Sequence, residues 1–125
     1  QPLYSSKVPA GFPSPADDHM EEKLDLNTHL VKHPTATFFV KASGDSMVGA
    51  GIHDGDILVV DRSLEPRQGR VVIAAIDGQL TVKRLKIKGP KTFLVPENKK
   101  FRSIELNENN DVKIWGIVTS VIHKV

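Results

Sequence analysis

Ser46, Lys83 and the dipeptide Ala10-Gly11 are the places where residue type and setting could do covalent chemistry. Ser46 lies in "FFVKASGDSMVGAGIHDGDILVV", residues 38–60, where two apolar stretches flank a corner with glycines at 44, 49 and 51. A plain turn does not need so much backbone freedom. Either the chain simply bends there, or the corner presents Ser46 for use. A serine becomes a nucleophile only beside a base. No histidine stands in a recognisable triad motif, which leaves a lysine held neutral as the other route. Lys83 sits inside "GQLTVKRLKI", and strand alternation puts Thr81, Leu85 and Ile87 on its own face. Among aliphatic neighbours a lysine loses hydration, and its pKa falls. Acting as a base near pH 7 requires a fall of roughly three units from about 10.4, or about 4 kcal/mol. The opposite orientation, with Leu80 and Val82 inward and Lys83 in water, fits the alternation equally well. Ala10-Gly11 lies in "VPAGFPSP", an extended, proline-flanked segment whose small residues allow close approach by a nucleophile. As a bare dipeptide it is too common to carry meaning.

Other constellations are weaker. His29 and His33 have helical i,i+4 spacing, but a third metal ligand cannot be placed and Pro34 follows at once. His19, His53 and His123 are scattered and read as surface residues, so no metal site is expected. Asp54 and Asp56 bracket Gly55, but "HDGD" lacks the further oxygen ligands of a calcium loop and reads as a turn. "GAGIHDGD" lacks the lysine and hydroxyl ending of a phosphate loop.

These residues need elements to position them. Residues 1–13, "QPLYSSKVPAGFP", have no apolar period and read as an extended arm. Residues 14–34 read as a short helical segment. Ser14 caps a first helix with Pro15 in its first turn and Met20 and Leu24 on one stripe. Asp25 caps a second, with Leu26, Leu30 and Val31 inward, and Pro34 ends it. Residues 35–125 read as a β-rich domain with strands at 36–43, 56–62, 70–77, 79–87, 91–95 and 112–123. Asp77-Gly78 suits the positive φ angles of a tight hairpin. The expected fold is mainly β, a partly closed barrel or sandwich with an extended N-terminal arm and short helices.

Composition sets outer bounds. The 125 residues suit one core of ordinary size, with 26% charged and 39% hydrophobic residues. The absence of cysteine excludes disulfides, thiolate catalysis and cysteine-zinc sites and is compatible with the cytosol. No apolar run approaches a membrane span, and no signal segment opens the chain. A net charge of +2 gives no strong pull toward nucleic acid. The local basic groups, Lys83 to Lys91 and then Lys99, Lys100 and Arg102, read as a solvated face with weak polyanion binding left open.

Taken together, these pieces resemble the LexA/UmuD family of self-cleaving serine–lysine peptidases, most closely its UmuD branch. "GFPSPADD" is similar to the segment just after that branch's cleavage point, and "DLNTHLVKHPTATFFVKASGDSM" to its approach to the nucleophile. "DGDILVVDRS", "AAIDGQLTVKRL" and "LVPEN" follow in the family order. From 46 to 83 is 37 positions, the family separation, and from 10 to 46 is 36, which fits the UmuD branch.

The resemblance implies that Ser46 attacks the Ala10-Gly11 carbonyl, in the same molecule or its dimer mate. Neutral Lys83 takes the serine proton and returns it to the leaving amine. Backbone N–H groups of Asp45 and Ser46 hold the oxyanion, and no cofactor is required. It further implies a cytoplasmic protein of the SOS response, stimulated by RecA–single-stranded-DNA filaments. The shortened homodimer joins a UmuC-type DNA polymerase for translesion synthesis, without sequence-specific DNA binding of its own. In one departure, Ala10 stands where the UmuD branch usually has cysteine, giving the Ala-Gly pair typical of LexA; both residues are small. The runner-up is the self-cleavage domain of a LexA-like or phage repressor, although the residues before the arm are too few for a helix-turn-helix domain. The competing classes are a non-catalytic dimeric polymerase accessory module and a general protease.

Overall fold

In the computed structural model, residues 1–4, 7–12 and 20–125 are described, with only the backbone for Met20–Glu22. The chain divides into two compact units, Gln1–Lys32 and His33–Val125.

In the first unit, strand β1 (Pro2–Tyr4) pairs antiparallel with β2 (Met20–Lys23). The backbones of Gln1 and Leu24 close the ladder, with the terminal amine donating to the Leu24 carbonyl at 2.9 Å. This corrects the expected first helix. Its start at Ser14 lies outside the described residues, and Met20–Lys23 is strand. An isolated single helical turn has little to hold it, whereas pairing with β1 satisfies this backbone. The second helix forms as the sequence suggests. Helix α1 (Leu26–Leu30) is capped by Asp25, whose carboxylate accepts from the Asn27 N–H at 3.1 Å and from the Thr28 hydroxyl at 3.0 Å. Leu26, expected to face inward, is 59% exposed. Lys7 to Phe12 are exposed, with bends at Ala10, Gly11 and Phe12.

The second unit is mainly β, as expected, and its seven strands make one open antiparallel sheet. They are β3 (Thr37–Lys41), β4 (Ile57–Asp61), β5 (Val71–Ile76), β6 (Gln79–Lys88), β7 (Lys91–Val95), β8 (Ile104–Leu106) and β9 (Val112–Ile122). Their order is β3-β4-β9-β5-β6-β7-β8. The last strand therefore enters the middle of the sheet. Its first half pairs with β5 and its second half with β4, and the register slips at Trp115 and again at Thr119. Extra residues of this kind bend and twist a strand. The Thr119 hydroxyl donates back to the Val59 carbonyl at 3.3 Å, and the Arg62 guanidinium lies 5.9 Å from the Trp115 ring centroid.

Two apolar clusters hold the sheet. One gathers Ala42, Met47, Ile52, Leu58, Val60 and Ile73; the other gathers Val72, Ala74, Leu85, Leu94 and Ile117. Val59 is buried as fully as Leu58 and Val60, so β4 is covered on both faces. Its continuous apolar run "ILVV" reflects that position. The β5–β6 hairpin turns at Asp77-Gly78, both at positive φ. Its tip is tied to Asp111, whose N–H donates to the Asp77 carboxylate at 3.1 Å and whose carbonyl accepts from the Asp77 N–H at 2.8 Å. Buried Asp61 ends β4. Its carboxylate accepts from the Ser63 N–H and hydroxyl at 2.8 and 2.6 Å and pairs with His33 Nδ1 at 2.5 Å. Burial opposes ionisation of Asp61, but these hydrogen bonds outweigh it and hold the carboxyl below its usual range.

Candidate active site

The corner between β3 and β4 is built from both ends. At its start, the Gly44 N–H donates to the Asp54 carboxylate at 2.8 Å. Ala42 exchanges backbone hydrogen bonds with Gly55 and Asp56 at 2.8 and 2.7 Å. Met47 plugs the corner into the first apolar cluster at 2% exposure, and a single 3₁₀ turn, Val48–Ala50, follows. Ser46 lies half-buried between these anchors.

A second support comes from the turn after β7. The Glu97 N–H donates to the Ser46 carbonyl and the Gly49 N–H to the Glu97 carbonyl, each at 2.8 Å, and the Asn98 side-chain amide donates to the Asp45 carbonyl at 2.9 Å. A Cβ on Gly49 would stand 2.7 Å from the Glu97 carbonyl oxygen, so this approach requires glycine. Gly44, at φ +85°, makes the turn into the corner. The Glu97 carboxylate pairs with Arg84 Nε, and Arg84 also donates to the Gly69 carbonyl at 2.5 Å. The residue beside Lys83 thus fastens the turn that holds Ser46.

Lys83 is buried on β6 at 8% exposure, whereas Leu80 is 53% exposed. Of the two orientations that alternation allows, the inward one is adopted. Lys83 Nζ lies 3.1 Å from Ser46 Oγ, 2.8 Å from Thr81 Oγ1 and 3.0 Å from the Val82 carbonyl oxygen. Burial alone pushes its pKa below the ordinary lysine value, because the low-polarity surroundings disfavour the ammonium. A neutral amine has two hydrogens and one lone pair. The Val82 carbonyl can only accept, and Thr81 Oγ1 can take the second hydrogen. The lone pair is then left for the Ser46 hydroxyl, the arrangement a general base needs.

An apolar cleft of about 190 Å³ opens beside Ser46, lined by Val40, Ala42, Ile73, Leu80, Thr81 and Val82 among others. Its walls suit a small or aliphatic side chain. Among the described residues, no protein acceptor is paired with the N–H of Asp45 or Ser46. These two N–H groups are candidate donors to an oxygen brought to Ser46.

Of the residues singled out in the sequence, Ser46, Lys83 and Asp45 come together in the second unit. Ala10 and Gly11 lie exposed in the first. Three contributors were not singled out. Thr81 had a local signal, two residues from Lys83 on one strand face. Arg84 and the Glu97-Asn98 turn lie within the family motifs "AAIDGQLTVKRL" and "LVPEN", but nothing local shows that they meet the corner, a contact made only through tertiary folding.

Among the described residues, no helix is long and apolar enough to cross a membrane.

The sequence has relatives among known proteins. The chain is 50% identical to Protein SamA of Salmonella typhimurium, over 98% of this chain and 85% of that protein. It is 46% identical to Protein MucA of Escherichia coli, over 94% of this chain and 81% of that one. With the LexA repressor of Pseudomonas chlororaphis the identity is 40%, over 94% of this chain and 58% of the repressor. These relatives agree with the resemblance drawn from the motifs around Ser46 and Lys83. The sequence profile described as Peptidase S24-like matches residues 2–119, a span that takes in the arm, the serine corner and the lysine strand. The chain belongs to the Peptidase S24-like family.

Proposed function

We propose that the protein is a self-cleaving serine–lysine peptidase of the SOS mutagenesis system. Ser46 Oγ attacks the carbonyl carbon of Ala10 while neutral Lys83 accepts the serine proton. The oxyanion forms against the N–H groups of Asp45 and Ser46 and collapses as the Ala10–Gly11 bond breaks. Lys83 passes its proton to the amine of Gly11, and water then releases Ser46 from the Ala10 ester with Lys83 again as base. The observation that carries this reading is the 3.1 Å approach of Lys83 Nζ to Ser46 Oγ, with the lysine buried. The apolar cleft beside Ser46 fits the small Ala10 side chain. An arm in the same chain supplies a high effective concentration, so weak recognition of the cleavage segment suffices.

The family membership and the SamA, MucA and LexA relatives support the wider assignment. In it, an activated RecA filament stimulates cleavage in the cytoplasm, and the shortened homodimer serves a UmuC-type polymerase in translesion synthesis.

The test is electrophoresis of the purified chain with and without an activated RecA filament, followed by N-terminal sequencing. The wild type should yield a product beginning Gly-Phe-Pro-Ser. Ser46→Ala and Lys83→Ala should each slow cleavage by at least about a thousandfold, since each removes a required chemical role. Lys83→Arg should fail equally, because arginine stays charged. Normal processing by a lysine variant would refute the dyad, and an intact wild type under all conditions would favour a non-catalytic accessory module.

A further inference from the structure

His53 and His123 lie far apart in the sequence, and the fold brings them to one carboxylate. Asp56 closes the turn before β4, and its side chain is 3% exposed. Its Oδ2 accepts from the His53 backbone N–H at 2.8 Å, which fixes the carboxylate in place. His123 Nδ1 lies 2.5 Å from its Oδ1, and His53 Nδ1 lies 3.7 Å from its Oδ2. The two imidazole rings face each other with centroids 4.8 Å apart and planes at 40°. One ligand atom from each residue falls within 4.8 Å of the other two. We propose that His53, Asp56 and His123 form a binding site for a divalent transition-metal ion of the zinc type.

The donor set favours such an ion. Two imidazoles and a carboxylate match borderline metals, whereas calcium and magnesium prefer oxygen alone. An ion bonded at about 2.0–2.2 Å to each donor separates tetrahedral ligand atoms by roughly 3.4 Å. The contacts run to different carboxylate oxygens, 2.5 Å from His123 Nδ1 to Oδ1 and 3.7 Å from His53 Nδ1 to Oδ2, so the groups must shift to share one ion at that spacing. The adjustment falls on the more exposed partners, since both histidine side chains are about half exposed while Asp56 is buried. For His123 to ligate through Nδ1, its proton moves to Nε2, and the contact to Asp56 widens as the ion takes the proton's place. Three protein ligands leave a fourth position open to water. The adjoining groove is lined by Lys41, Asp54 and Lys124 among others, so it is mixed in charge and accessible.

A bound ion would clamp the end of β9 to the His53–Asp56 turn. That turn also anchors Ala42 and Gly44, at the start of the corner that holds Ser46. The inference stands on the cluster alone and does not rest on the proteolytic reading.

The experiment uses the full chain, stripped with a chelator and dialysed. Zinc is titrated by calorimetry and cobalt by visible absorption, with thermal unfolding followed in parallel. The expected result is one ion per chain with a micromolar dissociation constant, cobalt bands typical of low coordination, and a rise in melting temperature with zinc. His53→Ala and His123→Ala should each weaken binding at least about tenfold, whereas His29→Ala should leave it unchanged. Circular dichroism checks that the variants are folded, and His53→Gln and His123→Gln replace any that are not. No saturable binding by the wild type, equal binding by the His53 and His123 variants, or loss only in His29→Ala would each overturn the site.

Discussion

Lys83 is under two opposing demands. Three oxygens surround its Nζ, which suits an ammonium, while burial favours the neutral amine. Only the neutral form can take the Ser46 proton. Each pH unit below the lysine pKa therefore cuts the active fraction about tenfold. Self-cleavage without an activator should climb as pH rises above neutrality, then level off below the ordinary lysine value of about 10.4, because burial lowers the pKa. A histidine base would instead level off near pH 7.5, about a unit past its ordinary value of about 6.5. The same lowering links stability to pH. Between the folded and the higher unfolded pKa, the unfolded chain binds more protons, so folding is increasingly favoured as pH rises through that window. Lys83→Met removes this dependence, and its melting temperature relative to wild type should fall as pH increases. A rate plateau already reached at neutral pH would argue against a solvated Lys83 in the resting state and reopen the search for another base, whereas parallel melting curves for wild type and Lys83→Met would count against a buried titrating lysine.

At the scale of elements, the site depends on a contact between two turns, the Ser46 corner and the Glu97-Asn98 turn after β7. Gly49→Ala tests it. The added Cβ would meet the Glu97 backbone oxygen at 2.7 Å, and a backbone cannot swing aside as a side chain can. The expected outcome is a loss of cleavage of more than tenfold, with a stability cost of about 1–3 kcal/mol by urea unfolding. Unchanged cleavage would mean that the corner holds itself. This contact also marks where sequence reasoning stops. The six strands expected from apolar alternation and flanking turns all form, shifted by no more than two residues at any end. The Asp77-Gly78 hairpin and the Asp25 cap were legible because each is a local preference of the backbone. β8 was missed because Ile104-Glu105-Leu106 is too short to show a period. β1 and β2 were missed because their partners lie across a segment with no alternating pattern. Ser46 and Lys83 were legible through motif spacing, but alternation could not decide which way Lys83 points. That depends on β6 being covered, a property of the whole sheet. The Glu97 contact left no trace in local pattern for the same reason.

At the scale of the molecule, the open sheet displays apolar side chains that folding leaves uncovered. Phe39 on edge strand β3, Ile87 on β6, and Trp115 and Ile122 on β9 are each 40–55% exposed. A second copy is the covering that the proposed function calls for, and stable pairs bury about 1,600 Å² in total. Sedimentation at micromolar concentration should give a dimer that persists in about 1 M salt, where charge attractions are screened within about 3 Å. A monomer under both conditions would contradict the proposed homodimer. The place of β9 has a further consequence, in the order of synthesis. Of the seven-stranded sheet, a ribosome makes β3 and β4 first, then β5 to β8, and only afterwards the strand that joins the two groups. Until Val112–Ile122 has been made, β4 and β5 each lack the neighbour that aligns them. Ser46 belongs to the first group and Lys83 to the second. A growing chain therefore carries Ser46 and Lys83 on pieces not yet joined through the sheet, so the proposed self-cleavage should wait until β9 is in place.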